Sequence, residues 1–316
     1  MRMSNSEASS GDVIVVGSVN VDLTATGTPV PSAGETRTGD RFAMGLGGKG
    51  ANQAVAAARA GATTRFVGCV GNDTFGGVAT DALRDAGVGL GELHEVDGAT
   101  GIAHIRVDTA SGDNSIFVIP GANTALTPER AVASLRAIAS EGAALLLQLE
   151  VPLETVVAVA AEAAHLGLRV VLDPAPAQEL PASLWNNVEV ITPNEHEAGL
   201  LSGIEVTDDA SAERAGRWFL ERGVRVALIT RGAAGATLVT GSGAEHLPAA
   251  AIEAVDTTAA GDSFAGHLGA ALAAGVDLRE SVTRALAAGS LAATRPGASE
   301  SIPTRDEVDR ALAARG

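Results

Sequence analysis

The sequence contains no tyrosine and a single cysteine among its 316 residues, and aromatic residues make up 3% of it. Cys69, as the only cysteine, excludes an intramolecular disulfide and a cysteine-based metal cluster. Chains without disulfides are typical of the reducing cytoplasm, so we expect a cytoplasmic protein.

Basic residues are scarce as well: 22 Lys and Arg residues are outnumbered by 38 Asp and Glu residues, which gives a formal net charge of -16. Nucleic acids and membrane surfaces are negatively charged, so this balance argues against either as a partner. No run of residues is apolar enough to span a bilayer. Residues 1–11 are polar and serine-rich, lack the apolar stretch of a signal peptide, and are predicted to form a disordered tail.

The rest of the sequence, residues 12–316, predicts one large α/β domain. Hydrophobic residues make up 46% of the chain, which is enough for a sizeable core. From Thr127 onward, apolar strand-like runs alternate with helical segments, and this predicts a mostly parallel sheet with helices on both faces. Ligands of such sheets bind beyond the carboxyl ends of the strands. The polar residues in that position are Asn20, Asp22, Gln148, Glu150, Asp173, Asn194 and Glu197.

Residues 23–44 and 99–120 depart from this alternation. The second segment contains two strand-like runs, residues 100–107 and 114–119, separated by a turn sequence, which predicts a hairpin. The first segment is rich in Thr, Gly and Pro. We expect the two segments to form a small β-sheet outside the main sheet, serving as a lid over a cleft, as a dimer contact, or as both.

A candidate catalytic centre occurs in the last quarter of the chain. The small residues Ala259, Ala260 and Gly261 leave backbone N–H groups uncovered where a helix over residues 262–274 is predicted to begin, and a helix N-terminus attracts anions. Asp262 follows these residues directly. Its carboxylate would either take a proton from an attacking hydroxyl or cap the helix, and both interpretations stay open.

Asn20 and Asp22 follow the predicted first strand with period-2 spacing, which places both side chains on the same side of an extended segment. Such a pair would hold vicinal hydroxyl groups, as on a sugar, or would form a turn.

The glycine-rich residues 45–52 match the dinucleotide-binding fingerprint literally, so a Rossmann dehydrogenase has to be considered. That fingerprint belongs directly after the first strand of its unit, and here other residues intervene. We expect instead a glycine-lined ligand surface, with Lys49 and Asn52 adding a cation and an amide.

Together these residues resemble the ribokinase branch of the PfkB sugar kinase family, over residues 13–308. Two segments are the most specific: residues 45–58 (GLGGKGANQAVAAA) with GCVGND at residues 68–73, and residues 256–264 (DTTAAGDSF). Residues 192–197 (TPNEHE) also resemble the family's phosphate and magnesium element.

The resemblance implies a role for each matching residue. Asp262 would be the catalytic base, and the backbone N–H groups of Ala259, Ala260 and Gly261 would stabilise the charge on the transferred phosphoryl group. The residues expected to bind the sugar are Asn20, Asp22, Gly48, Lys49, Asn52 and Glu150, with Ala103, Ile105 and Val118 packing from the lid. The residues expected to bind the nucleotide are Asn194, Thr230, Arg231, Gly232, Ala233, Ala234, Gly235, Gly261 and Leu286.

Two metal ions are also implied by the resemblance. Asn194 and Glu197 would direct magnesium and its waters. An activating potassium ion would bind beside the anion cradle, in part through backbone oxygens. Its expected ligands are Asp256, Thr258, Ala292, Arg295, Gly297 and Ser301.

The activity implied by the resemblance is the ATP-dependent phosphorylation of the 5-hydroxyl of D-ribose, giving D-ribose 5-phosphate and ADP, in a homodimer formed through the lid. A kinase of the same family acting on deoxyribose, another sugar or a nucleoside is the first alternative. The scarcity of aromatic residues disfavours a nucleoside pocket. A sugar-binding regulator without turnover and a dehydrogenase are the remaining alternatives.

Overall fold

The computed structural model describes residues 11–111 and 113–314, and two β-sheets organise them. The strands of these residues are β1 (Asp12–Val16), β2 (Asn20–Gly27), β3 (Arg41–Gly47), β4 (Thr63–Gly71), β5 (Gly89–Val96), β6 (Gly101–Asp108), β7 (Asn114–Ile119), β8 (Ala144–Leu147), β9 (Arg169–Leu172), β10 (Val190–Ile191), β11 (Val226–Thr230), β12 (Ala236–Thr240) and β13 (Gly243–Leu247). The α-helices of the same residues are α1 (Lys49–Arg59), α2 (Thr74–Asp85), α3 (Pro128–Ile138), α4 (Leu153–His165), α5 (Ala182–Trp185), α6 (Glu195–Ser202), α7 (Asp209–Leu220), α8 (Ala260–Ala273), α9 (Leu278–Ala292) and α10 (Arg305–Ala313).

The large sheet has the strand order β13-β12-β11-β10-β9-β8-β1-β4-β5. Neighbouring strands are parallel from β11 to β5, and β12 and β13 extend the sheet as antiparallel strands beside β11. The predicted mostly parallel sheet is therefore confirmed. Because its parallel strands share one direction, their carboxyl ends lie at one edge, where the loops that follow them meet.

Helices cover both faces of this sheet, and β1 shows why its sequence fits such a position. Val13 and Val15 are fully buried in the cluster formed with α1, α2, α8 and α9. Ile14 and Val16 are fully buried in the cluster formed with α3 to α7. Successive strand side chains point to opposite faces, so a strand covered on both faces is apolar throughout.

Helices α1 and α8 pack closely, because small residues line their contact. A methyl group added to Gly266 of α8 would collide with Ala56 and with the backbone of Gln53 on α1. This close approach brings the first turns of the two helices together at the carboxyl edge of the sheet.

The small sheet has the strand order β3-β2-β6-β7. Strands β6 and β7 form the predicted hairpin, which is confirmed, and β2 pairs with β6 in parallel and with β3 in antiparallel fashion. The segment predicted over residues 23–44 supplies β2 and β3, which begin three residues earlier and end three residues later than that range.

The predicted disordered tail, residues 1–11, falls mostly on residues 1–10, which lie outside the described residues. Gly11 is buried, and its carbonyl accepts a hydrogen bond of 3.1 Å from the N–H of Thr63.

Helices long and apolar enough to cross a membrane do not occur in the described parts of the chain.

Candidate active site

Polar residues from several parallel strands meet at the carboxyl edge of the large sheet. Ser18 follows β1, Glu150 follows β8 and Asp173 follows β9. Asn194 follows β10 and forms an isolated parallel bridge with Thr230 at the end of β11. The N-terminal turns of α1 and α8 reach the same edge, so residues distant in sequence surround one cleft.

Helix α8 begins with an unusual backbone conformation. Ala259, its N-cap residue, has φ 56° and ψ 10°, in the left-handed region that favours glycine, and no side chain caps the helix. The N–H of Ala260 donates to the carbonyl of Thr257 at 3.2 Å. The N–H groups of Ala259 and Gly261 have no acceptor within the described residues. This turn therefore has two free donors next to Asp262, and its role as an anion cradle stays a prediction.

The Asp262 carboxylate is held by α1 and not by its own helix. Asn52 Nδ2 donates to Oδ2 at 3.0 Å, and Gln53 Nε2 donates to Oδ1 at 3.2 Å. The Asp262 residue is buried, with 5% of its surface exposed. Its hydrogen bonds connect α8 to α1 across the cleft, so the geometry favours the site interpretation over the helix-cap interpretation.

Lys49 places its ammonium group between two buried carboxylates. Nζ lies 3.8 Å from Asp173 Oδ2 and 4.0 Å from Asp262 Oδ1. Burial disfavours the charge of Lys49, but Asp173, Asp262 and Glu150 outweigh this and raise its pKa above the ordinary value. Burial in turn raises the pKa of Asp173 to about 7, against the opposing effect of Lys49 and with a further contribution from Asp262.

Glu150 fixes the start of α1. Its Oε2 accepts hydrogen bonds from Ser18 Oγ at 2.6 Å and from the N–H of Lys49 at 2.9 Å. The preceding residue, Gly48, has φ 86°, a conformation that side chains rarely adopt, so glycine is required there. Glu150 thus supplies the negative charge that the α1 N-terminus favours and sets the position of Lys49.

Asn20 is held in place at the base of the small sheet. Its Oδ1 accepts a hydrogen bond of 2.9 Å from Asn123 Nδ2. Asn123 is itself fixed by hydrogen bonds with the backbone of Val19 in both directions, at 2.8 Å and 3.0 Å.

Asp22 lies two residues further along β2 and faces the same cleft. Burial raises its pKa to about 7, and the carboxylates of Glu150, Glu300 and Asp262 add to the increase. The site therefore concentrates several acidic groups around one cation.

The small sheet presents the predicted apolar residues on the same face as Asp22. Asp22 pairs with Ala103 of β6, and Ala103 pairs with Val118 of β7, so these three side chains form one row across the sheet. Ile105, two residues beyond Ala103, lies on the same face. Ala103 is buried, Ile105 is half-buried and Val118 is exposed.

The predicted nucleotide residues lie along the β11 end of the same edge. Gly232–Ala234 form an exposed 3-10 turn, and Gly235 closes it with φ 96°. The N–H of Arg231 donates to the carbonyl of Gly235 at 2.7 Å. Leu286 is buried on α9, which packs along α8. The remaining members of this set are Asn194, Thr230 and Gly261.

The side chain of Arg231 lies away from this turn. It is buried, and its guanidinium group pairs with Asp209 at the start of α7 and lies 3.3 Å from His246 Nδ1 of β13. The backbone of residue 231 thus lines the predicted nucleotide region, while its side chain anchors that region to α7 and β13.

The predicted cation ligands lie on two adjoining segments. The N–H groups of Val255 and Asp256 both donate to the carbonyl of Ala293, at 2.9 Å and 3.2 Å. Asp256 Oδ2 accepts from the N–H of Gly297 at 3.0 Å, and Oδ1 accepts from the N–H and hydroxyl of Thr258. Partial burial disfavours the charge of Asp256, but these hydrogen bonds lower its pKa below the ordinary value. The predicted ligands on the second segment are Ala292, Arg295, Gly297 and Ser301.

Asn194 and Glu197 cap their own helix. Asn194 Oδ1 accepts from the N–H of Glu197, and Glu197 Oε2 accepts from the N–H of Asn194, both at 2.9 Å. Glu197 Oε1 takes no part in this cap. Groups of three or more His, Cys, Asp or Glu side chains suited to a metal ion are absent from residues 11–111 and 113–314.

Gln53 is a site residue to which the sequence analysis assigns no role. It is buried on α1 and donates to both Asp173 and Asp262. Asp173 carries a detectable sequence signal, because it follows a predicted strand. Gln53 carries none, since a glutamine in an alanine-rich helix is equally compatible with a surface position.

Comparison with known proteins agrees with this architecture. The profile of the pfkB family carbohydrate kinases matches residues 10–305. The ribokinase of Haemophilus influenzae is 40% identical over 295 residues, which are 93% of this chain and 96% of that protein. The ribokinase structure from Thermotoga maritima has a TM-score of 0.87 at 36% identity and covers 96% of this chain and 99% of its own. The structure of Arabidopsis thaliana ribokinase complexed with ribose and ATP has a TM-score of 0.88 at 31% identity, with the same coverage. The chain therefore belongs to the pfkB family of carbohydrate kinases.

Proposed function

We propose that the protein phosphorylates D-ribose at its 5-hydroxyl with ATP, giving D-ribose 5-phosphate and ADP. The observation that carries this proposal is the position of Asp262, a buried carboxylate beside the free N–H groups of Ala259 and Gly261. A base and an anion cradle at one helix N-terminus are what phosphoryl transfer to an alcohol needs. The relatives that match nearly the whole chain are ribokinases, and one was solved with ribose and ATP.

Asp262 acts as the general base in this proposal. It takes the proton of the 5-hydroxyl as the hydroxyl oxygen attacks the γ-phosphorus of ATP, and the bond between that phosphorus and the β–γ bridging oxygen breaks to release ADP. Asn52 and Gln53 fix the carboxylate through the two hydrogen bonds described above, so little reorganisation is needed at the moment of transfer.

The turn at Ala259, Ala260 and Gly261 stabilises the charge of the transferred group. Its N–H groups and the positive end of α8 favour negative charge at this point. Lys49 adds a positive charge beside the reacting hydroxyl. Preorganised donors of this kind account for much of the rate in phosphoryl transfer.

The sugar lies between α1 and the small sheet. The polar side chains that would bind its other hydroxyls are Asn20, Asp22, Lys49 and Asn52, with Glu150 behind Lys49 and the backbone of Gly48 beside it. Ala103, Ile105 and Val118 pack against the sugar carbons from the small sheet, which acts as a lid. The nucleotide lies along residues 230–235, and its base meets the apolar surface of α9 near Leu286.

The residues present fit magnesium and potassium. Glu197 Oε1 and the Asn194 side chain would orient magnesium-bound water, and phosphate oxygens would complete the coordination. The pKa of Asp256 is below its ordinary value, so this residue supplies a carboxylate, and Ser301 supplies a hydroxyl. With the backbone carbonyls of the other predicted ligands they would form a set of hard oxygen atoms that suits potassium. When bound, the two ions would neutralise phosphate charge and stabilise the turn beside the anion cradle.

We further propose a cytoplasmic homodimer formed through the small sheet of a single domain, residues 12–316. The sheet face opposite Asp22 carries exposed apolar side chains: Phe42, Met44, Phe117 and Ile119. A cluster of exposed apolar side chains is stabilised by burial against another surface, and a second copy of the same sheet would provide that surface.

The decisive experiment measures ATP consumption with ribose, deoxyribose, fructose and adenosine, with and without potassium. We expect turnover on ribose that rises with potassium. A preference for deoxyribose or adenosine would show that ribose is not the main substrate, while the assignment to the kinase family would stand. Sugar binding without any turnover would favour a regulator, and binding of NAD would favour a dehydrogenase.

A further inference from the structure

We propose that Asp173 and Gln53 are positioning residues for Asp262: they orient its carboxylate and, through the charge of Asp173, control its strength as a base. The proposal rests on the function above, because Asp262 is a base only if the protein is a kinase. It makes turnover depend on a second buried carboxyl group that need not touch the sugar.

Gln53 joins the two carboxylates in one fixed arrangement. Its Oε1 accepts a hydrogen bond of 2.5 Å from Gln148 Nε2, so its amide nitrogen must point in the opposite direction. There Nε2 donates to Asp173 Oδ2 at 2.8 Å and to Asp262 Oδ1 at 3.2 Å. A side-chain amide has two N–H hydrogens, one for each carboxylate. Gln53 therefore fixes the two carboxylates relative to each other.

Lys49 is shared by the same two groups. Its ammonium lies at nearly equal distances from Asp173 and Asp262, 3.8 Å and 4.0 Å. Both acidic residues are less than a tenth exposed. One cation does not balance two buried carboxylates, so one of the two tends to hold a proton near neutral pH.

The surroundings of Asp173 indicate that it is the group that holds the proton. The charged groups that act on it are Lys49 on α1, Asp262 on α8, Glu197 on α6 and Glu150 after β8. Three of these four are acidic. Burial and these neighbours raise the pKa of Asp173 to about 7, while Lys49 opposes the increase.

The protonation state of Asp173 then changes how Asp262 works. With Asp173 ionised, a second negative charge lies close to Asp262 and favours proton transfer from the sugar hydroxyl to it. With Asp173 protonated, Lys49 interacts mainly with Asp262 and weakens it as a proton acceptor. We therefore expect turnover to increase as the pH rises through about 7.

The test compares kcat against pH for the wild type and the Asp173→Asn variant, which keeps the shape and removes the charge. We expect kcat of the variant at pH 8 to be lower by about tenfold, because only part of a change in basicity reaches the rate. Its remaining activity should no longer change near pH 7. If the profile of kcat against pH for the variant superimposes on that of the wild type after scaling, Asp173 has only a packing role and does not control the pH dependence.

Gln53→Leu tests whether the hydrogen bonds of Gln53 to Asp173 and Asp262 matter for turnover. It removes the hydrogen bonds to both carboxylates and should lower kcat by about tenfold or more while leaving KM for ATP unchanged. The matched control is Asp81→Asn, which removes an exposed carboxylate on α2 and should change neither kcat nor its pH profile. Unchanged kcat in Gln53→Leu would contradict the proposal.

A stability measurement separates this inference from the proposed function. Asp173 keeps its proton in the folded state up to about pH 7 but loses it near the ordinary value of 3.8 when unfolded. The wild type therefore loses stability between these pH values relative to Asp173→Asn. Thermal unfolding should show the variant more stable than the wild type above pH 7, with the difference closing towards pH 4.

A stability difference between Asp173→Asn and the wild type that stays constant with pH would overturn the inference, whether or not any sugar is phosphorylated. Absence of turnover in the wild type, together with a pH-dependent stability difference, would instead overturn the proposed function and leave the shared-proton arrangement in place.

Discussion

Helix α8 and strand β7, which the proposed function places on two sides of the sugar, are built in opposite ways. Residues 262–272 of α8 are all buried, and small residues let the helix pack closely against α1 and α9. Every residue of β7 except Ser115 is exposed, although four of its six residues are apolar.

The contrast follows from what each element has to do. As the proposed base, Asp262 needs a fixed position relative to the reacting hydroxyl, and close packing of α8 would supply it. In the proposed function the small sheet admits the sugar and then covers it, and its outermost strand β7 keeps most of its side chains exposed. Exposed apolar residues are the cost of that freedom, and association with a second copy would offset it.

Asp262→Asn should have the largest effect, because it removes the base and keeps the shape. A general base typically contributes about 10²- to 10⁴-fold, so kcat should fall by that amount. The Asn side chain can still accept a hydrogen bond from Asn52, so thermal stability should change little. Retained kcat with reduced stability would revive the helix-cap interpretation.

Phe117→Ser tests the exposed strand of the comparison, β7. Phe117 is 65% exposed on the face of the small sheet away from the cleft. If this face forms the dimer, losing this large exposed aromatic residue should weaken association by about 30-fold or more. Sedimentation equilibrium measures the change. Leu200→Ser is the control, since Leu200 is exposed on α6, outside the small sheet, and should leave association unchanged.

The acidic surroundings of Asp22 predict a pH effect on sugar binding. Its pKa is raised to about 7, so it is protonated below that pH and can no longer accept hydrogen bonds through both oxygens. KM for ribose should therefore rise about tenfold between pH 8 and pH 6. Asp22→Asn should show a high KM throughout this range. A KM that follows the wild-type pH dependence in this variant would assign the titration to another group.

Sequence patterns predicted the large sheet well, because its strands are continuous apolar runs and its helices have ordinary start signals. The patterns do not predict strands β5, β12 and β13. Strands β5 and β13 lie at the two edges of the sheet and carry polar residues, so their apolar signal is weak. Helix α9 is not predicted either, although Asp277 caps it and Leu278, Val282 and Leu286 have the spacing of one helix face.

The candidate site likewise contains residues that the sequence predicts and contacts that it does not. The motif residues Lys49, Asn52 and Asp262 do meet, as their resemblance to a family implied. The bridging role of Gln53 and the inward turn of Arg231 depend on which neighbours the fold supplies. Gln148, Asp173 and Asp209 are far from them in sequence, and no local pattern encodes those contacts.

Ala259→Gly should have the smallest effect of these substitutions, and it should stabilise the protein. Ala259 is the only residue other than glycine in the described residues with a positive φ, and a left-handed conformation costs alanine about 1 kcal/mol. Glycine removes that strain, so the free energy of unfolding in urea should increase by up to about 1 kcal/mol.

Ala133→Gly is the matched control for this change. Ala133 is exposed within α3, where the backbone is helical, and glycine there should destabilise the protein by about 1 kcal/mol. Two identical substitutions with opposite signs would show that α8 stores strain at its first turn, beside the free N–H groups of the anion cradle. If both variants are destabilised, the turn is not strained, and its donors owe their direction to the contacts of Asp256 and Thr257 instead.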